Sequence, residues 1–518
     1  MEEINKKFEF DKKALLLLFV IFFGFALRCL TFYFNPFINP DGVLYVNQAK
    51  AIYFKKYNLI TSCYSYLSPC PLLIAFFYLF IPNWVIAAKS VSLFFATLSF
   101  IPLYFLLKEF LNTNETYLTM LTWACMPHFV YHSQQVIRDP IFWFFSILGL
   151  FLFAKYFRIK KVSLLLLSSI CFLIGSWARI EGILYIAVSC IFLFIISIKD
   201  HNWRAFFFFL VPIIFILLVG IVLAKFQHKD ISKLVPYGRI LNRVNYTVKR
   251  YNELRNVLKK FDSIETGGKF RFFFKDARYL LWWIAIGTVI RNLFRAIFLP
   301  FGILIFWGIF KSSHLIKQNK IFLYFLSLSI GAILILYAQA LYNWAVSTRY
   351  IALFLFPSFV FLGLGIRELI KKLSFKYSTA LIACLIVFLP MKKLVINMTE
   401  KNRDYFTYKE IGRYIAKNEG YKRKIKVAGT FKRINIVHFY ANENYPGVVC
   451  FDRKFFISNK ISADFILKLG CDYFIWDEKH SYKISLQEIL KNSPKKFIEL
   501  NRWKTKKLGE MILYYIKL

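Results

Sequence analysis

The stretch DKKALLLLFVIFFGFALRCLTFYF, residues 11–34, decides the fold. Two lysines lead into an uninterrupted apolar run at 14–27, and the whole segment to Phe34 is long enough to cross a bilayer, which takes about 20 apolar residues. Lys6, Lys7, Lys12 and Lys13 all precede the run, which by the positive-inside rule puts the N-terminus in the cytoplasm. The run is longer than a signal-peptide core and has no small-residue cleavage site, so it reads as a retained span.

Working outward, the rest of the chain repeats the theme. Of its 518 residues 58% are hydrophobic and 20% aromatic, with 61 Phe, yet 69 Lys and Arg face 29 Asp and Glu for a net charge of +40. A soluble domain carries about 45–50% apolar residues, so the excess needs an apolar solvent. That excludes a soluble nucleic-acid-binding protein despite the charge. It also excludes disorder, which requires low hydrophobicity, and a disulfide scaffold, because nine Cys are too dilute.

Further spans are expected at 84–107, 116–133, 140–157, 162–178, 182–198, 205–224, 281–310 (with a break near Arg291 and Arg295), 321–341, 350–366 and 377–390. The apolar segment 71–81 is too short and reads as interfacial or re-entrant. With that assignment Lys108, Arg158/Lys160/Lys161, Lys199/Arg204, Lys311/Lys317/Lys320 and Arg367/Lys371/Lys372/Lys376 all fall on the cytoplasmic side. The fold class is therefore mainly α: a polytopic membrane protein of about 11 transmembrane helices in residues 1–390. Its exterior loops are 35–83 and 225–280. From 391 the apolar runs shorten to strand length, at KIKVAG (424–429), GVVCF (447–451) and CDYFIWDE (471–478), between helix-like segments 405–417 and 462–469. That alternation predicts a small exterior α/β domain, 391–518, with a partly parallel sheet. No phosphate-cradling glycine pattern opens its helices.

The loop 225–278 holds fourteen Lys/Arg against five Asp/Glu, with Leu241, Val244, Val248, Tyr251, Leu254, Leu258 and Phe261 at three- and four-residue spacing. This is an amphipathic helix. Its Arg243, Lys249, Arg250, Arg255 and Lys259 suit either simple adhesion to anionic membrane lipids or a direct hold on phosphates. Ionisable groups near membrane depth are costly and usually functional, and four sets lie at exterior span ends. These are Asp41 with Tyr45 and Lys50, Arg138 with Asp139, Arg179 with Glu181, and Arg349 with Tyr350. Each has a plainer alternative: Asp139 before Pro140 and Asp41 after Pro40 read equally as helix caps, and Arg179 with Glu181 as an ion pair or interfacial anchors. Together, a carboxylate that deprotonates an acceptor and a fork-shaped cation that holds a leaving phosphate point to group transfer from a lipid-linked phosphosugar.

INPDGVLYVNQAKAIYF (38–54), YHSQQVIRDPIFWFFSILGLFLF (131–153), WARIEGILY (177–185) and STRYIALFLFPSFVFLGLG (347–365) resemble, in order and spacing, the signatures of the GT-C superfamily of integral-membrane glycosyltransferases. The resemblance extends to the bacterial branch with the aminoarabinose transferase of lipid A and the protein O-mannosyltransferases. It implies an inverting glycosyltransferase with a polyprenyl-phosphate-sugar donor and a lipid, glycan or protein acceptor. By it Asp41 is the catalytic base, Asp139 positions acceptor or metal, and Lys50 and Arg349, with Arg138 and Arg179, hold the donor phosphate. Tyr45 and Glu181 serve the acceptor. Many members have Asp-Glu or Asp-x-Asp where this chain has Asp41-Gly42, which argues against a metal in the first loop. Ser68-Pro69-Cys70-Pro71 likewise replaces the Lys-Pro-Pro stretch of the aminoarabinose branch.

No cofactor is required by these motifs, although a divalent metal is allowed: His128 and His132, one helical turn apart, are candidate ligands or else a neutral interfacial pair. Cys63 and Cys70, both in the first exterior loop, are expected to pair if the compartment oxidises. The expected location is the inner (plasma) membrane, with the N-terminus cytoplasmic and residues 391–518 exterior. The rival reading is a transporter or flippase of lipid-linked sugars, which would place its ionisable groups at the midplane of repeated halves. Here they sit at one face, and the chain has no internal repeat.

Overall fold

The computed structural model describes residues 2–226, 237–263, 270–373, 375–399, 403–419, 423–457, 463–478, 496–505 and 509–517. Among them eight helices are long and apolar enough to cross a membrane, or nine if the pair Phe272–Tyr279 and Leu281–Ile297, bent by 68°, forms one span. Pro69–Tyr78, Ser163–Ala178 and Leu299–Lys311 are shorter apolar helices. Length alone therefore does not reach eleven crossings. Residues 116–133 are two helices, Thr113–Cys125 and Pro127–His132. Met126 between them is extended (φ −62, ψ 110), as the residue before a proline prefers to be. Ser163–Ala178 has 16 residues, about 24 Å at 1.5 Å each. The break expected near Arg291 and Arg295 falls instead at Phe298, whose φ of 77 ends one helix while the Leu299-Pro300 pair starts the next. Segment 71–81 is the ten-residue helix Pro69–Tyr78, too short to cross, as expected.

The chain divides into two compact units. The first comprises Met1–Leu27, Phe95–Val130 and Asp139–Lys393. Its core is aromatic: Trp123 lies against Phe129, Trp143, Phe356 and Phe359 at centroid distances of 4.8 to 5.9 Å. Such pairs add about 0.5–1.5 kcal/mol each beyond area burial, and together they fix the start of helix Asp139–Ile159 one turn from Trp143. Helices Leu299–Lys311 and Ala352–Leu373 touch backbone to backbone through Gly308 and Gly365, where an added Cβ would stand 1.9 and 2.1 Å from the facing carbonyl oxygens. Small residues permit this approach in a membrane, where helix packing relies on close contact. The amphipathic segment is the 27-residue helix Tyr237–Ser263. Tyr251, Leu254 and Leu258 are half-buried on it while Arg250, Arg255 and Lys259 are exposed. Residues 227–236 and 264–269 of the same loop lie outside the described residues.

The second unit comprises Arg28–Phe94, Tyr131–Arg138 and Leu394–Leu518, so the first loop groups with the C-terminal region. Its sheet has four strands, β1 (Val427–Gly429), β2 (Tyr473–Asp477), β3 (Phe497–Thr505) and β4 (Gly509–Ile516), in the order β1-β2-β4-β3. β1 and β2 are parallel and the other pairs antiparallel, a partly parallel sheet as expected. GVVCF at 447–451 is not a strand. Its apolar side chains are used otherwise: Val448 packs with Ala51 and Cys63, and Cys450 forms a disulfide with Cys63 across 387 residues. This corrects the expected Cys63–Cys70 pairing. Cys70 is buried on helix Pro69–Tyr78 and is not disulfide-bonded, while the Cα atoms of Cys63 and Cys450 are 4.8 Å apart, within bridging range.

Candidate active site

The second unit carries the first-loop residues on helix Pro40–Tyr53. Pro40 supplies the preset φ of a helix start, and Asn39 is the residue that caps it. Asp41 is therefore not the N-cap; it lies in the first turn, where a carboxylate is favoured by the helix dipole. The Asn39 side chain serves another purpose. Its Oδ1 accepts from the Val136 amide at 2.9 Å and its Nδ2 donates to the Val136 carbonyl at 3.2 Å. This double bond of the side chain to one peptide fixes segment 131–138 against the start of the helix. Gly42 allows it, because a Cβ there would be 2.7 Å from the Val136 Cβ.

The clamp brings Arg138 to the helix. Its guanidinium lies over the rings of Tyr45 (5.7 Å) and Tyr66 (5.2 Å). Tyr45 is one turn after Asp41 and buried. Burial raises its phenol well above the usual value, Arg138 pulls it back down and Asp41 pushes it up again. Asp41, Tyr45 and Arg138 therefore form one electrostatic group. Lys50 is not brought to it: nine residues on, at about 100° each, it points to the opposite side of the helix. Its ammonium is buried, 6% exposed, between the rings of Trp84 (5.8 Å) and Phe439 (5.5 Å). Burial lowers its pKa to about 8, and the Glu443 carboxylate only partly opposes this.

The first unit holds a second ionic cluster. Arg179 is the turn residue between helices Ser163–Ala178 and Ile183–Asp200. It donates through Nη1 to Asp139 Oδ1, pairs through Nε with Glu181 at 3.4 Å, and lies 4.4 Å beneath the Tyr350 ring. The Asp139 and Arg179 side chains are nearly buried, 4% and 9% exposed. The sequence-expected pairing of Arg179 with Glu181 is present, and Asp139 joins it. Arg349 sits beside Tyr350 in the short 3-10 turn Thr348–Ile351.

Some participants had no visible signal. Tyr66 is one of many tyrosines in the 35–70 stretch. Tyr405, Arg433 and Asn435, which approach the Asp41 turn, lie more than 360 residues away in sequence. Lys89 was legible in principle, as an ion inside the apolar run 84–107. It is buried, donates to the Asn35 carbonyl and lies 4.5 Å over the Phe32 ring.

A metal fits this donor set poorly. Among the described residues no three His, Cys, Asp or Glu side chains gather as a site requires. The Gly42 contact also leaves no room for a side chain at position 42, where an Asp-Glu pattern would put its second acid. His132 Nδ1 is hydrogen-bonded to Gln135 Oε1 at 2.8 Å, and His128 is buried against Phe129.

No family model matches the chain, and no curated protein matches it in sequence. Solved structures do match in fold. The oligosaccharyltransferase of Archaeoglobus fulgidus, in complex with Zn and sulfate, has a TM-score of 0.57 at 13% identity, covering 97% of this chain and 73% of that one. AglB from the same organism, in complex with an inhibitory peptide and a dolichol-phosphate, has a TM-score of 0.57 at 12% identity, covering 98% and 74%. ArnT from Cupriavidus metallidurans, bound to undecaprenyl phosphate, has a TM-score of 0.55 at 10% identity, covering 97% of both chains. At these identities the likeness is one of architecture: this multi-pass membrane chain shares the fold of these oligosaccharyltransferases and of ArnT.

Proposed function

We propose that the protein is an inverting glycosyltransferase. It moves a sugar from a polyprenyl-phosphate-linked donor to a lipid, glycan or protein acceptor on the exterior face of the inner membrane. The observation that carries this reading is the group of Asp41, Tyr45 and Arg138 on the first-loop helix of a chain with the GT-C fold. Fold alone does not fix chemistry, but a carboxylate beside a ring-stacked guanidinium is the pair the reaction needs. Asp41 takes the proton of the acceptor hydroxyl as its oxygen attacks the anomeric carbon. The bond from that carbon to the phosphate oxygen breaks on the opposite face, and its electron pair leaves on the lipid phosphate. The Arg138 fork holds that phosphate as charge builds, and Asp139 and Glu181 hold Arg179 in place. No step runs through a metal.

The Cys63–Cys450 disulfide supports an exterior site, because such bonds persist in oxidising compartments. Incubation of the purified protein in detergent with radiolabelled polyprenyl-phosphate sugar tests the function. Detergent abolishes vectorial transport, so sugar transfer or slow donor hydrolysis supports the enzyme, and an intact donor contradicts it.

A further inference from the structure

The turn that presents Asp41 is held from the C-terminal region. The Pro36 carbonyl accepts from Lys409 Nζ at 2.8 Å, and the Ile38 amide donates to Tyr440 Oη at 2.9 Å. The Pro40 carbonyl accepts from Asn435 Nδ2 at 3.3 Å. The Phe37 ring is buried against Tyr405 (5.2 Å) and Phe406 (5.0 Å). Five C-terminal side chains thus fix Pro36, Phe37, Ile38 and Pro40, which is more than a linker at a loop needs.

The same contacts bring chemistry with them. The Arg433 guanidinium lies 4.8 Å over the Tyr405 ring. Among the described residues it makes no ion pair, and it is exposed. The charges of both Arg433 and Asp41 act on the Tyr405 phenol, so all three share one neighbourhood. Beside them Asn435 spends one amide proton on Pro40, and its Oδ1 is buried without a hydrogen-bond partner. A guanidinium stacked on a ring keeps its N–H edge for a planar anion, and the stacking fixes its orientation in advance. An open acceptor such as Asn435 Oδ1 calls for a donor, since an unpaired buried polar atom is costly.

We propose that Tyr405, Arg433 and Asn435 form an acceptor-selecting wall beside Asp41, which recognises an acceptor carrying an anionic group, phosphate or carboxylate, next to its reacting hydroxyl. The wall rests on the reading of Asp41 as base. Arg433 grips the anion, Asn435 Oδ1 receives a hydroxyl of the same molecule, and the neighbouring hydroxyl faces Asp41. A neutral acceptor would leave the guanidinium with water alone.

Three small probes share one three-carbon skeleton and differ in the anionic group it bears, phosphate, carboxylate or none: glycerol 3-phosphate, glycerate and glycerol. Binding is read by the rise in unfolding temperature of the full-length protein, and transfer by radiolabelled sugar appearing on the probe. The expected result is stabilisation by one or both anions and none by glycerol. Arg433→Gln weakens the apparent affinity about tenfold or more, the scale of a lost charge-assisted hydrogen bond. Arg433→Lys restores only part, because it lacks the fork. Glycerol 3-phosphate against glycerate tells phosphate from carboxylate. Equal stabilisation of wild type and Arg433→Gln by the anions, or a response to glycerol as strong as to the anions, overturns the proposal. Because binding is read without turnover, it is judged even if the donor is never cleaved. A wild type that binds the anions through Arg433 but leaves donor intact contradicts the glycosyltransferase reading instead.

Discussion

Lys50 and Asp139 show how a residue legible in sequence for one role can be placed in another by the fold. Nine residues from Asp41, Lys50 matched a phosphate position, yet helix geometry turns it away into a sleeve of Trp84 and Phe439. Its pKa of about 8, against the usual 10.5, sets a pH signature. Below about pH 8 both folded and unfolded chains hold the proton, and the folded one bears the full cost of a buried charge. Between about 8 and 10.5 the unfolded chain holds a proton the folded chain has shed, so stability rises with pH. Lys50→Met should therefore stabilise the protein at pH 7 by about 3 kcal/mol, and thermal unfolding should show the gap closing as pH rises toward 10. A gap independent of pH would mean the ammonium is not buried. Asp139 is legible as a helix start, and its pairing with Arg179 is not, because 40 residues separate them. Asp139→Asn should cost about 3 kcal/mol, the scale of a broken buried pair. An unchanged unfolding temperature would place Asp139 outside any structural role.

At the scale of elements, hydrophobic length was the readable quantity and contact partners were not. Apolar runs of about 20 residues announced the long spans. Short helices such as Ser163–Ala178, and a helix split where Met126 meets Pro127, sit below the resolution of run length. β3 and β4 form a hairpin in a basic stretch whose apolar alternation is weak, whereas β1 and β2 lay in visibly apolar runs. The disulfide belongs here too. Proximity in sequence favoured Cys63 with Cys70, but Cys70 is buried on its own helix, and the irregular segment 447–451 delivers Cys450 to Cys63. Peptide mapping under non-reducing conditions should recover one cross-linked fragment with Cys63 and Cys450, which Cys63→Ser abolishes. A Cys63–Cys70 fragment would refute the arrangement.

At the scale of the molecule, that bond also constrains threading. Cys63 and Cys450 must share a compartment, so an even number of crossings separates them, as the ten spans expected after the first loop provide. By the positive-inside rule the basic clusters at alternate loops predict that this compartment is the exterior. A C-terminal alkaline phosphatase fusion should be active and a fluorescent-protein fusion at the same point dark; the reverse would invert the topology. Charge, hydrophobic length and four spaced motifs carried the fold class, because they are local properties of the chain. The surroundings of Asp41 were hidden, since residues 36–40 meet Tyr405, Asn435 and Tyr440 only after folding. The central claim is that Asp41 is the base. Its most direct test is the turnover of Asp41→Asn with radiolabelled polyprenyl-phosphate sugar, beside wild type and with unfolding temperatures of both. The account predicts loss of transfer by at least about a hundredfold, the low end of general-base contributions, with the unfolding temperature retained. Near wild-type turnover by the folded variant would contradict it.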